Sequence, residues 1–134
     1  MNIRNVALLS VVAVAPFGLA ALLVPAQFLA IYGVELSDAG LVMTRLFGVH
    51  VLLIAIVDWY ARNDLRGAGE SGVHRGIVTM NIFSPTVSLL LILGATLGGT
   101  INALGWANVG ILAVLALAWI YVGLMKVPVV ATAT

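Results

Sequence analysis

Cysteine is absent from this sequence. Its absence excludes disulfides, thiolate nucleophiles, iron–sulfur clusters and thioether-linked haem, and it carries no information about redox compartment. Charge is nearly as scarce. Asp, Glu, Lys and Arg make up 8% of the 134 residues, against about 25% in soluble domains. The six Lys/Arg and five Asp/Glu leave a formal charge of +1, so there is no basic face for nucleic acid. What fills the chain instead is apolar: 63% of residues are hydrophobic. A chain this short has too little interior to hide that much apolar surface, so its outside must face lipid.

The N-terminus "MNIRNVALLSVVAVAPFGLAALLV" imitates a signal peptide, with a basic start, an apolar run and "AVA" at 13–15. Pro16 follows directly, a poor residue after a cleavage site, and the apolar run continues to Ile31, too long for a signal. An uncleaved membrane helix is expected. A span needs about 20 apolar residues to cross about 30 Å of hydrocarbon. Four segments qualify, at 6–31, 41–60, 77–98 and 102–125. The breaks "YGVELSDAG", "ARNDLRGAGESGVHR" and "GGT" are polar or glycine-rich, as breaks should be. Short links make successive helices antiparallel and adjacent. The expected fold is all-α: one polytopic domain over 1–134, an up-down bundle of four transmembrane helices.

Charge fixes the direction. Arg4, Arg62, Arg66, Arg75 and Lys126 fall on one side of this threading, and Arg45 alone falls near the other, beside Glu35 and Asp38. The positive-inside rule then places both termini and the 61–75 loop in the cytoplasm of a bacterial inner membrane. Tyr32 and Trp106 on one boundary, and Trp59, Tyr60 and Tyr121 on the other, read as interfacial belts.

Polar residues inside the spans are the candidate functional groups. In the outer layer Arg45 lies one turn into the second helix, level with Gln27 and Asn108, with Asn102 at the mouth. Arg45 either snorkels to Glu35 and Asp38 as a clamp or lines a polar pocket with Gln27 and Asn108. In that pocket its planar fork would take an anionic headgroup or carboxylate. The middle layer holds His50, level with Pro16 and with Ser84, Pro85, Thr86 and Ser88. Pro85 frees the carbonyl of Asn81, and Pro16 frees one near Leu8 to Val12. Two kinks and a histidine at one depth predict a small polar void. His50 either bonds a hydroxyl or a freed carbonyl as glue between helices, or touches a ligand such as a quinone carbonyl or sterol-like hydroxyl. It is also the side chain best suited to exchange a proton near neutral pH. In the inner layer Asp58 and Arg62 are four residues apart, on one helix face, and predict a structural ion pair. Asn81 enters at the same depth. With polar groups on two sides, the second helix is expected to be surrounded by other helices. "GATLG" at 94–98 is a small-residue pair that predicts close packing against the fourth helix.

Other chemistries lack their residues. His50 and His74 lie at different depths, so no shared metal or haem iron is expected. No Ser/His/Asp set shares a level, and the acids Asp64 and Glu70 sit in a solvated hairpin. "GAGESG" follows no strand and precedes no Lys-Ser/Thr, so it is not a phosphate loop. Small proton-coupled exporters resemble one another in a carboxylate deep in the first helix. Here that helix has no acid, and a transporter is the less favoured reading.

Pro25 followed by Tyr32-Gly33-Val34, "RLFGVHVLLIAIVDWYARND" at 45–64 and "INALGWANVGILAVLALAW" at 101–119 resemble a group of small, uncharacterised bacterial four-helix membrane proteins. The layout is also similar to DoxX-like proteins and to the four-helix scaffold proteins of ergosterol synthesis. The latter carry an Arg–aromatic–Gly step like Arg45, Phe47 and Gly48. These resemblances imply a quinone-linked role and a scaffold role respectively. The expected function is that of a non-enzymatic accessory or scaffold subunit, packed against a membrane partner or a second copy. The alternative is a binder of a quinone, isoprenoid or other lipid, held by Arg45, Gln27 and Asn108 or by His50 and Ser84. No further cofactor is expected.

Overall fold

The computed structural model describes residues 3–64 and 72–125. Among these residues the chain is all-α: α1 (Ile3–Leu23), α2 (Pro25–Ala30), α3 (Asp38–Asp64), α4 (Gly72–Leu97) and α5 (Gly105–Met125). Helices α1, α3, α4 and α5 are each long and apolar enough to cross a bilayer. The 21 residues of α1 rise about 31 Å at ~1.5 Å per residue, one hydrocarbon thickness. The protein is a multi-pass membrane protein built as a bundle of transmembrane helices. Both ends of the described chain lie at one end of the bundle, the termini end. The other is the turn end, formed by α2 and the 98–104 connection. Arg66, Glu70, Lys126, the Asp64 side chain and most of the glycine-rich 67–72 segment lie outside the described residues.

The predicted 6–31 span is two helices. Val24 leaves helical geometry (φ −134°, ψ 54°) and Pro25 opens α2 at its first position. Proline disfavours the α conformation in the residue before it, while its own φ suits a helix start. The kinks expected at Pro16 and Pro85 do not break their helices, which run through both prolines. Helix α3 starts three residues before the apolar run because Ser37 caps it. The Gly40 N–H donates to Ser37 Oγ at 3.2 Å and the Leu41 N–H to the Ser37 carbonyl at 2.9 Å.

The helices pack as two antiparallel hairpins, α1 with α3 and α4 with α5, joined where α1 meets α5. Helices α3 and α4 share no packed backbone interface, although they are consecutive spans. Small residues decide the first hairpin. A Cβ on Gly48 would lie 2.7 Å from Leu22 N and 2.8 Å from the Gly18 carbonyl oxygen, so α1 and α3 meet backbone to backbone there. A buried cluster at the termini end ties the hairpins together. Ile3, Val6 and Ala7 of α1 meet Ala61 of α3 and Ala118, Trp119 and Val122 of α5.

One expectation about packing fails and another holds through a different residue. Helix α3 is not surrounded: 11% of its most apolar window is buried, against 28% for α1 and α5. Its extensive packing is against α1, with α4 and α5 reached at the termini end through Asp58 and Ala61, so its polar groups sit where lipid, cavity and core respectively reach them. Within "GATLG" it is Thr96, not Gly94, that meets α5: a Cβ on Gly94 would meet nothing within 4 Å, whereas Thr96 Oγ1 lies against Gly105. A second close approach between α4 and α5 uses Gly123, under Ile82 and Val78.

Candidate ligand cavity

Because α3 and α4 stand apart, the bundle encloses a cavity of about 470 Å³. That lies within the ~300–1,000 Å³ typical of small-molecule sites. All four spans and α2 line it, with mostly aliphatic and aromatic walls such as Val14, Phe17, Phe47 and Leu112. Its polar groups fall at three levels.

At the turn end the cavity is closed by a tied roof. Asn102 donates from its backbone N–H to the Tyr32 carbonyl at 2.9 Å and from Nδ2 to the Ile31 carbonyl at 2.8 Å. Its Oδ1 accepts from the Leu104 N–H at 3.0 Å. Gly33 makes this turn at φ +76°, a conformation other residues rarely adopt. Beneath it Phe17, Phe28 and Tyr32 stack edge to face, with centroids 5.9 and 5.7 Å apart. The Tyr32 hydroxyl donates to Asn108 Oδ1 at 3.3 Å. Tyr32, expected at an interfacial belt, is therefore buried.

At mid-depth His50, Ser84 and Ser88 face the cavity. His50 Nδ1 lies 2.7 Å from the Leu46 carbonyl in its own helix. A carbonyl only accepts, so this nitrogen carries a proton and donates it. His50 does not glue α3 to α4. It spends its donor locally and remains exposed.

At the termini end Ser10, Asn81 and Trp119 line the cavity, and Asp58 lies directly behind them. Asp58 is fully buried. Asn81 Nδ2 donates to Asp58 Oδ1 at 2.7 Å and to the Ile77 carbonyl at 3.1 Å. The Ser10 hydroxyl of α1 approaches the same carboxyl. This places one polar group from each of α1, α3 and α4 at one spot and ties the two hairpins.

The sequence-predicted residues separate accordingly. His50, Ser84 and Asn108 come together on the cavity. Arg45 and Gln27 do not line it; both are exposed on the outer surface. Arg45 makes no ion pair with Glu35 or Asp38 among the described residues. The Asp58–Arg62 pair does not form. Burial gives Asp58 an amide partner across the bundle, while Arg62 donates to the Trp59 carbonyl and lies over the Trp59 ring at 3.7 Å. Ser10 and Trp119 were not foreseen as site residues. Ser10 had a readable signal, as the one hydroxyl in α1; Trp119 looked like any apolar helix residue.

These groups offer donors and acceptors in an apolar enclosure, and the Ser10 hydroxyl meets the Asp58 carboxyl at its termini end. Among the described residues no group of three His, Cys, Asp or Glu converges to hold a metal. No family model matches this chain, and neither does a curated protein or a solved structure.

Proposed function

We propose that this protein binds a lipophilic molecule with a polar head, a quinone, isoprenoid or related lipid, inside the bundle. The cavity carries the reading: about 470 Å³ walled by all four spans, with polar groups at fixed levels. The gap between α3 and α4, where His50 and Phe47 are exposed, gives such a molecule a lateral path from the bilayer. The binder is favoured over an accessory or scaffold subunit. The outward stripe of α4, with Phe83, Leu90 and Leu91 exposed, is covered by lipid as readily as by a partner helix.

A bacterial inner membrane with cytoplasmic termini is part of the same proposal. Arg4, Arg62 and Arg75 at the termini end support it through the positive-inside rule. The similarity to DoxX-like proteins and to small bacterial four-helix proteins stands beside it as a proposed kinship.

The test is co-purification. Protein in mild detergent is extracted and its lipids identified by mass spectrometry, beside the cavity-filling variant Val51→Trp. The wild type should carry one lipid class enriched over bulk membrane, and Val51→Trp should lose it while melting as a folded helical protein. Identical lipid profiles in both would overturn the proposal.

A further inference from the structure

The termini end of the cavity has a hydrogen-bonding demand that selects among lipids. Trp119 is fully buried and lines the cavity, and its indole N–H has no acceptor. A buried donor of this kind seeks a partner. Asn81 presents the complementary group. Its Nδ2 hydrogens are committed to Asp58 Oδ1 and to the Ile77 carbonyl. Both partners accept, so they fix the orientation of the amide: nitrogen toward Asp58, carbonyl oxygen left over. That Oδ1 receives no hydrogen bond from the described residues, and Asn81 borders the cavity. One end of the site therefore offers an unused donor and an unused acceptor. Asp58 acts through Asn81 as a positioning residue.

Among the described residues no lysine or arginine lines the cavity. A phosphate or carboxylate head would be buried without a countercharge, and that excludes anionic lipids. Among neutral heads a quinone carbonyl, an ester or an ether only accepts, and would leave Asn81 Oδ1 unmatched. A hydroxyl both donates and accepts. The turn end is less demanding, because the Tyr32 hydroxyl already donates to Asn108 Oδ1 and the Phe17–Phe28–Tyr32 stack offers ring faces and edges. That surface suits an unsaturated or branched tail.

Resting on the binder reading, we propose that the ligand is a neutral lipid alcohol. Its hydroxyl sits between Trp119 and Asn81 at the termini end, and its tail runs toward α2.

The test uses farnesol, its methyl ether and a short-chain quinone as matched probes of full-length protein in detergent. The background is Trp59→Phe/Trp106→Phe, which leaves Trp119 as the sole tryptophan. Farnesol should bind about tenfold tighter than the ether and shift Trp119 emission. Trp119→Phe in the native background, read by displacement, should bring the two probes level. His50→Phe should not. Equal binding of alcohol and ether, tighter binding of the quinone, or loss of the preference in His50→Phe would each overturn the alcohol assignment while leaving the binder reading intact. If no probe binds and no lipid co-purifies, the binder reading fails with it. The comparison of probes on the Trp119-containing protein stands even where Trp119→Phe does not fold.

Discussion

Gly48→Ala should unfold this protein more easily, although alanine is the better helix former. The added methyl would lie 2.7 Å from Leu22 N, 2.8 Å from the Gly18 carbonyl oxygen and 3.1 Å from Ala21 C. All three are backbone atoms, so no side-chain rotation relieves the clash and α1 must move off α3. Overpacking costs about 1–3 kcal/mol, and backbone neighbours place Gly48 in the upper half of that range. Replacing a helical glycine by alanine returns about 0.8–1 kcal/mol. The net loss is about 1–2 kcal/mol. Gly18→Ala should cost less. Its nearest neighbour is Leu52 Cγ at 2.8 Å, a side-chain atom that can turn, although Leu52 N follows at 3.1 Å. Gly94→Ala and Gly110→Ala are the controls, since neither new methyl meets anything within 4 Å. Both should be neutral or gain up to about 1 kcal/mol from propensity. The assay is equilibrium unfolding of the detergent-solubilised protein with a denaturing detergent, followed by helical circular dichroism. If Gly48→Ala unfolds together with Gly94→Ala, the backbone contact between α1 and α3 is not what holds that hairpin.

Three other outcomes follow from the same structure. Asn102→Ala removes hydrogen bonds to the Ile31 carbonyl and from the Leu104 N–H; it should lower stability by about 1–2 kcal/mol, visible as a lower melting temperature. Arg45→Gln should stay within about 0.5 kcal/mol of wild type and keep its co-purifying lipid, because Arg45 is exposed and lines no cavity; loss of the lipid would restore Arg45 to the site. Asp58→Asn still offers an acceptor to the Asn81 amide and should keep the preference of alcohol over ether, whereas Asp58→Leu should lose it; equal loss in both would show that Asp58 does not act by orienting Asn81.

The membrane class and the helical architecture were legible because hydropathy is a property of single segments. A run such as 105–125 needs no partner to declare itself. Local chemistry was legible in part. Pro25 marks the end of α1 through its effect on Val24 but was hidden inside a longer apolar count, and Ser37 marks the start of α3 from within a stretch read only as a polar break. Which helices touch was legible within each hairpin, where short links make successive spans adjacent, but not between α3 and α4. Chain order favoured α3 against α4, while the contact that matters depends on Gly18 and Gly48 meeting, two glycines thirty residues apart in sequence. The site followed the same division. His50, Ser84 and Asn108 reach the cavity and were legible as polar residues at depth. Arg45 shared a depth with Asn108 but points to the outside, since depth says nothing about azimuth around the bundle. The partner of Asp58 was misassigned because spacing of four on one helix ranked Arg62 first. Burial then favours a short bond to Asn81 over an ion pair that would have to carry two charges into the core.

The cavity and its chemistry share one origin in the topology. Each hairpin closes on itself through short connections at the turn end, and Asn102 binds the two turns to each other. At the termini end the Asp58–Asn81 bond and the Trp119 cluster bind the hairpins again. Between these two ties nothing pulls α3 onto α4, and Ser84 and Ser88 are too small to fill the space between them. On the proposed binding function, a molecule already dissolved in the bilayer would enter this void past His50, and a head that both gives and takes a hydrogen bond would satisfy Trp119 and Asn81 together.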